Sequence, residues 1–206
     1  VIGCTVASPT LAFSATKFFN DHGIPWEWVR SESTHRAVGF TLTNAYERTG
    51  QLGPDRWYAS IGALSLFRGT PLLVVHAGTA TTVDSVFMTG LGEYRFMGGR
   101  IAPGPALMHK ALLSAVPTLD SSLTEHKDFP LCSSDAITTG IIDAQVGLIA
   151  QAYESMCEAG QRPKIILAGG SSRFLAPRLR TLHPTLIVRH NLVLEGLAQK
   201  ARESKR

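Results

Sequence analysis

The chain of 206 residues is long enough for one large domain or two small ones with a real core. Its 44% hydrophobic and 17% charged residues are ordinary for a globular protein, and no run approaches the roughly 20 apolar residues of a membrane span. A net charge of +4 gathers visibly only in the tail Gln199–Arg206, without the aromatic interleaving of a nucleic-acid surface, so neither nucleic acid nor membrane is expected as a partner.

Cys4, Cys132 and Cys157 lie far apart, with no CxxC and an odd total, so neither a disulfide framework nor a zinc site is indicated. A reducing cytoplasm is the simplest setting. The seven histidines show no metal-ligand spacing.

The pattern alternates strand and helix. Val1–Ala7 reads as a strand, and Ser8-Pro9 then opens a helix to about Asp21–Gly23, with Ser8 as N-cap. Trp26–Val29 is a short strand, and residues 30–51 read as polar and irregular. Pro54 starts a helix through Phe67 with Trp57, Ile61 and Leu64 on one face. Strands at Leu72–His76, Thr82–Thr89 and Glu93–Met97 follow, the last ending in a glycine-rich turn. A helix from Pro105 to Val116, a loop over 117–132 and a long helix over Ser133–Gly160 come next. Lys164–Ala168, a helix from Ser171, a short strand at Leu186–Val188 and a helix over Leu192–Arg202 close the chain. The expected domains are 1–70 and 71–206.

Two clusters carry chemistry. Ala77-Gly78-Thr79-Ala80-Thr81 joins two apolar strands with small residues and hydroxyls, a composition that suits a phosphate group as well as a plain hairpin. It has no GxxxxGK[ST], which excludes a P-loop. Asp84 follows, either near a metal-linked water or as a strand end. In Gly53-Pro54-Asp55-Arg56, Pro and Asp are ordinary helix-start residues, but a cation at the positive helix end is not. Arg56 there suits a ligand carboxylate, and Asp55 can accept a proton from a hydroxyl. Gly98-Gly99 and Pro103-Gly104 flank Ile101, and Gly169-Gly170-Ser171 opens a helix; both suit either tight turns or close approach of a ligand.

Asn44-Ala45-Tyr46, Leu52-Gly53-Pro54-Asp55-Arg56-Trp57, Ala77–Asp84, Gly98–Gly104 and Asn191–Leu197, in this order and spacing, resemble the type III pantothenate kinases, including their Bvg accessory factor-like subgroup. The resemblance implies an α/β homodimer with the duplicated RNase H-like fold of the actin-like ATPase, acetate and sugar kinase superfamily. It also implies ATP-dependent phosphorylation of pantothenate, with Mg2+, as the first step of coenzyme A synthesis. Carried onto this chain, Asp55 is the proton acceptor and Arg56 the carboxylate clamp. Gly53, Pro54, Asn44, Tyr46, Ile101 and Ser133 are substrate neighbours, and Gly78, Thr79, Gly169 and Gly170 contact ATP. Two departures stand out. His76 occupies the place of the usual cation-site Asp, which makes dependence on a monovalent cation doubtful. The family's opening DxGNT-like phosphate loop is not in this sequence, so the first domain is expected to lack its N-terminal strands. A catalytically silent pantothenate- or nucleotide-binding homologue with a regulatory role is the alternative.

Overall fold

The computed structural model describes residues 1–6, 8–119 and 122–203; Ala7 of the expected first strand, Asp120 and Ser121 of the expected loop, and the last three residues of the basic tail lie outside it. Contacts divide the chain into two compact units, each discontinuous in sequence. The first comprises Val1–Gly69, Met88–Gly98 and Asn191–Arg206, and the second Thr70–Phe87 and Gly99–His190.

In the first unit, β1 (Ile2–Gly3) pairs in parallel with β2 (Glu27–Trp28), and α1 (Pro9–Asp21) joins them. Ser8 caps α1 by accepting from the Leu11 amide at 3.4 Å, Pro9 takes the first turn, and Gly23 at φ +63° ends the segment. The first strand is shorter than expected because its ladder to β2 covers only Ile2 and Gly3.

The stretch read as irregular contains an antiparallel hairpin, β3 (Thr34–Ala37) and β4 (Phe40–Asn44). Its two-residue alternation is real: His35, Phe40 and Leu42 are buried while Arg36 is exposed and Thr41 and Thr43 are half-buried. Polar side chains on the other face hid it. The strand β7 (Glu93–Pro103) lies parallel to β4, with Asn44 opposite Phe96.

Helix α2 (Pro54–Leu66) is buried at every residue from Arg56 to Leu64, not on one face. The cause is α6 (Leu192–Glu203), whose backbone meets that of α2 directly. A Cβ on Gly62 would strike the Leu192 carbonyl, and one on Gly196 the Tyr58 carbonyl, so only glycine permits this crossing. On another side, Trp57 packs its ring edge-on to Phe96 of β7 at 6.5 Å.

In the second unit, β5 (Leu72–Ala77) pairs antiparallel with β6 (Ala80–Gly90) and in parallel with β8 (Lys164–Ala168). β9 (Ile187–Val188) adds in parallel to β8. Beyond Glu93–Met97, β7 continues through Gly98 and Gly99 to Pro103, so the glycines sit within a strand where a turn was expected; Gly98 takes φ +135°. The helices are α3 (Pro105–Ala115), α4 (Ser133–Glu158) and α5 (Ser172–Leu182). Leu73, Val75 and Val83 of the strands pack with Ile142, Val146 and Ile149 of α4 and Leu175 and Leu179 of α5. Each such side chain contributes roughly 1.5–3 kcal/mol by leaving water. Among the described residues, no helix is long and apolar enough to cross a membrane.

Candidate functional site

The first unit assembles a cation with a carboxylate at the start of α2. Gly53 is the N-cap, Pro54 the first helical residue, and Asp55 the acid of the first turn, where the positive end of the helix favours it. Arg56 is only 6% exposed, although the same helix end disfavours a cation. Its guanidinium lies 5.8 Å from the Tyr46 ring centre and 5.7 Å from that of Phe96, and Nη1 donates to the Tyr46 hydroxyl at 3.0 Å. These aromatic faces offset the unfavourable end charge and hold the planar fork in one orientation.

Tyr46 is itself fixed. The Asn44 side chain accepts from the Tyr46 amide at 3.0 Å and donates to the Glu32 carbonyl at 3.3 Å. The next amide, Ala45, donates to the Phe96 carbonyl at 3.0 Å. Asp55 is half-buried, and its Oδ1 would stand 2.5 Å from any Cβ placed on Gly53. Burial, with the nearby Asp55 carboxylate, pushes the Cys4 thiol up to about 11, so a neutral thiol stands beside that carboxylate. Asn44, Tyr46 and Arg56 are thus linked by hydrogen bonds, and Gly53, Pro54 and Asp55 precede Arg56 at the same helix start; the guanidinium suits a carboxylate and the Asp55 carboxylate a proton.

The second unit builds a cradle at the tip of the β5–β6 hairpin. The Gly104 amide donates to the Thr79 carbonyl at 2.8 Å, and a Cβ on Gly104 would collide with the Gly78 carbonyl. Both tip carbonyls therefore face Gly104. In a trans peptide the N–H points opposite to the C=O, so the Thr79 and Ala80 amides turn to the other side, where both residues are exposed. Two N–H groups turned to that side, on residues one of which carries a hydroxyl, suit an anion. Thr81 is completely buried, which leaves Thr79 as the hydroxyl at the tip.

Gly169, at φ +94°, brings the β8–α5 connection against the same hairpin; a Cβ there would collide with the Ala77 carbonyl, which accepts from the Ser171 amide at 3.0 Å. Gly170 has open space where a Cβ would stand, so no packing constraint on that side requires glycine. The half-buried His76 ring lies against Gly78 and Gly169, and Asp84 is buried opposite Val74. Ile101 is an exposed residue of β7, and Ser133 the exposed first residue of α4. Among the described residues, no group of three or more His, Cys, Asp or Glu side chains stands ready to hold a metal ion.

The family model for type III pantothenate kinase matches residues 1–155. This chain belongs to the type III pantothenate kinase family. Similar relatives include a type III pantothenate kinase of Methylobacillus flagellatus, 38% identical over 178 residues covering 85% of this chain and 70% of the relative. One from Polaromonas is 33% identical over 206 residues, covering 98% and 76%. Among solved structures, a protein from Campylobacter jejuni described as a Baf family transcriptional activator shares the fold, with a TM-score of 0.57 at 19% identity, covering 97% of this chain and 80% of that one.

Two further residues stand out in this family member. Phe96 supplies the second aromatic face under Arg56, and its signal was the alternation of Tyr94 and Phe96, both buried, along β7. Gly104 orients the hairpin tip; the sequence marked it only as half of a Pro-Gly turn.

Proposed function

We propose that this chain phosphorylates the primary hydroxyl of pantothenate with ATP, the first step of coenzyme A biosynthesis. The observation that carries this reading, beside the family, is the buried Arg56 held on two aromatic faces next to Asp55. Pantothenate offers a carboxylate for the guanidinium and a hydroxyl for the Asp55 carboxylate. In this reading Asn44, Tyr46, Gly53 and Pro54 shape the acceptor site, and Ile101 and Ser133 are further acceptor contacts. Gly78 and Thr79 receive the ATP phosphates, with Gly169 and Gly170 as nucleotide neighbours.

Phosphoryl transfer has a loose transition state, so catalysis is mainly positioning and charge stabilisation. Arg56 orients the acceptor, Asp55 aligns the hydroxyl and takes its proton, and the Thr79 and Ala80 amides neutralise phosphate charge. Magnesium enters with ATP as part of that substrate. A homodimer is proposed from the family resemblance. Ile137, Ile141, Ile142, Val146 and Ile149 of α4 are buried, so that helix offers no free apolar face as separate support for it. Sedimentation would measure the dimer.

A coupled ADP-release assay with and without pantothenate tests the reading. Pantothenate-dependent release is expected, with little on a panel of other hydroxy acids. Pantothenate binding without turnover would favour the silent homologue instead.

A further inference from the structure

Gln145 lies in the middle of α4 and is 1% exposed, on the buried helix face that also carries Ile141, Ile142, Val146 and Ile149. Its Nε2 donates to the Pro103 carbonyl at 2.9 Å and approaches the Met108 sulfur at 3.0 Å. Because Pro103 offers only an acceptor there, the amide orientation is fixed chemically. Its Oε1 is buried without a hydrogen-bond partner among the described residues. An apolar residue of the same volume would fill this place and remove the unpartnered Oε1, losing only the bond to the Pro103 carbonyl. Packing therefore does not explain glutamine.

The contact it makes does. Pro103 directly precedes Gly104, whose amide holds the Thr79 carbonyl at 2.8 Å and whose missing Cβ lets the hairpin tip approach. Pinning the Pro103 carbonyl sets the peptide plane between Pro103 and Gly104, and with it the direction of the Gly104 N–H. That N–H turns the tip so that the Thr79 and Ala80 amides face outward. We propose that Gln145 is a positioning residue for the phosphate-binding hairpin, acting through Pro103 and Gly104. The inference rests on the proposed role of this hairpin in holding ATP phosphates.

The test compares the wild type with Gln145→Met, which keeps the volume but removes the donor, and with Gln145→Glu. The first readout needs no substrate: amide hydrogen exchange at Gly104, with the Ser171 amide as internal reference. In Gln145→Met, Gly104 exchange is expected to accelerate about tenfold while Ser171 is unchanged. The second readout is kinetic: the ATP KM rises about tenfold while the pantothenate KM stays level. In Gln145→Glu, burial raises the carboxyl pKa, so at low pH the neutral acid donates to Pro103 and restores the contact. Its ATP KM should therefore climb with pH relative to the wild type.

Unchanged Gly104 exchange in Gln145→Met overturns the proposal, as does a parallel rise of both KM values. Wild-type protein that fails to turn over pantothenate would refute the proposed function, and the Gly104 exchange would still decide the role of Gln145 in placing the hairpin.

Discussion

Arg56 and Asp55 are neighbours in sequence with separable proposed roles, so substitutions should split the kinetics. Asp55→Asn keeps the shape and removes the proposed proton acceptor; kcat should fall about a hundredfold or more while the pantothenate Kd changes little. A near-normal steady-state rate would remove Asp55 from its role. Arg56→Lys keeps the charge but loses the planar fork on Tyr46 and Phe96. The pantothenate Kd by calorimetry should then weaken by about tenfold, and an unchanged Kd would refute the clamp. At His76, the imidazole does not supply the hard oxygen that an alkali cation prefers. Exchanging sodium for potassium should alter the rate by less than about twofold, and strong activation by potassium would contradict this. Asp55 and Arg56 were legible as a pair in the sequence, because a cation at a helix start is out of place unless something holds it. The aromatic faces that hold it were not, since Phe96 lies far along the chain.

Between the strands and helices, what was readable depended on how much of an element's surface is apolar. Helix α1, β5, β8 and α6 fall close to their expected bounds, since capping residues or apolar runs mark them. The β3–β4 hairpin escaped because only one of its faces is apolar and Thr and Arg residues fill the other. Strand β7 was cut short because Gly98-Gly99 imitates a turn, whereas a glycine at positive φ is here accommodated within the strand. The all-round burial of α2 was invisible, since it depends on Gly196 of a helix remote in sequence. The hairpin tip makes an element-level prediction. In Gly104→Ala the added methyl must push the Gly78 carbonyl away, rotating the outward amides. The ATP KM should rise by about tenfold or more with pantothenate affinity retained, as read by separate titrations; equal effects on both substrates would count against the cradle.

At the scale of the molecule, each compact unit carries one of the two clusters: the proposed carboxylate grip lies in the first and the proposed phosphate cradle in the second. Stability should carry the signature of a buried base in the first unit. Burial holds the His35 pKa below its ordinary 6.5, aided by Lys200 and opposed by Glu32. His35 lies 3.8 Å from Glu32, which Lys200 of α6 also pairs, and its ring faces Phe40. Burial lowers His183 in the second unit likewise. The unfolded chain then binds protons that the folded chain resists, so this contribution is complete above 6.5 and is lost as pH falls through the folded values. The Tm should drop between about pH 7.5 and about pH 5.5, and His35→Gln should flatten part of that slope. A slope untouched by the substitution would place the effect elsewhere.

In the proposed reaction phosphate moves from ATP onto the primary hydroxyl of pantothenate. Phosphorus NMR of the products reports this directly. A new phosphomonoester resonance is expected, coupled to the methylene protons of that alcohol and growing with ADP. Inorganic phosphate alone, or ATP left intact in the presence of pantothenate, would contradict it.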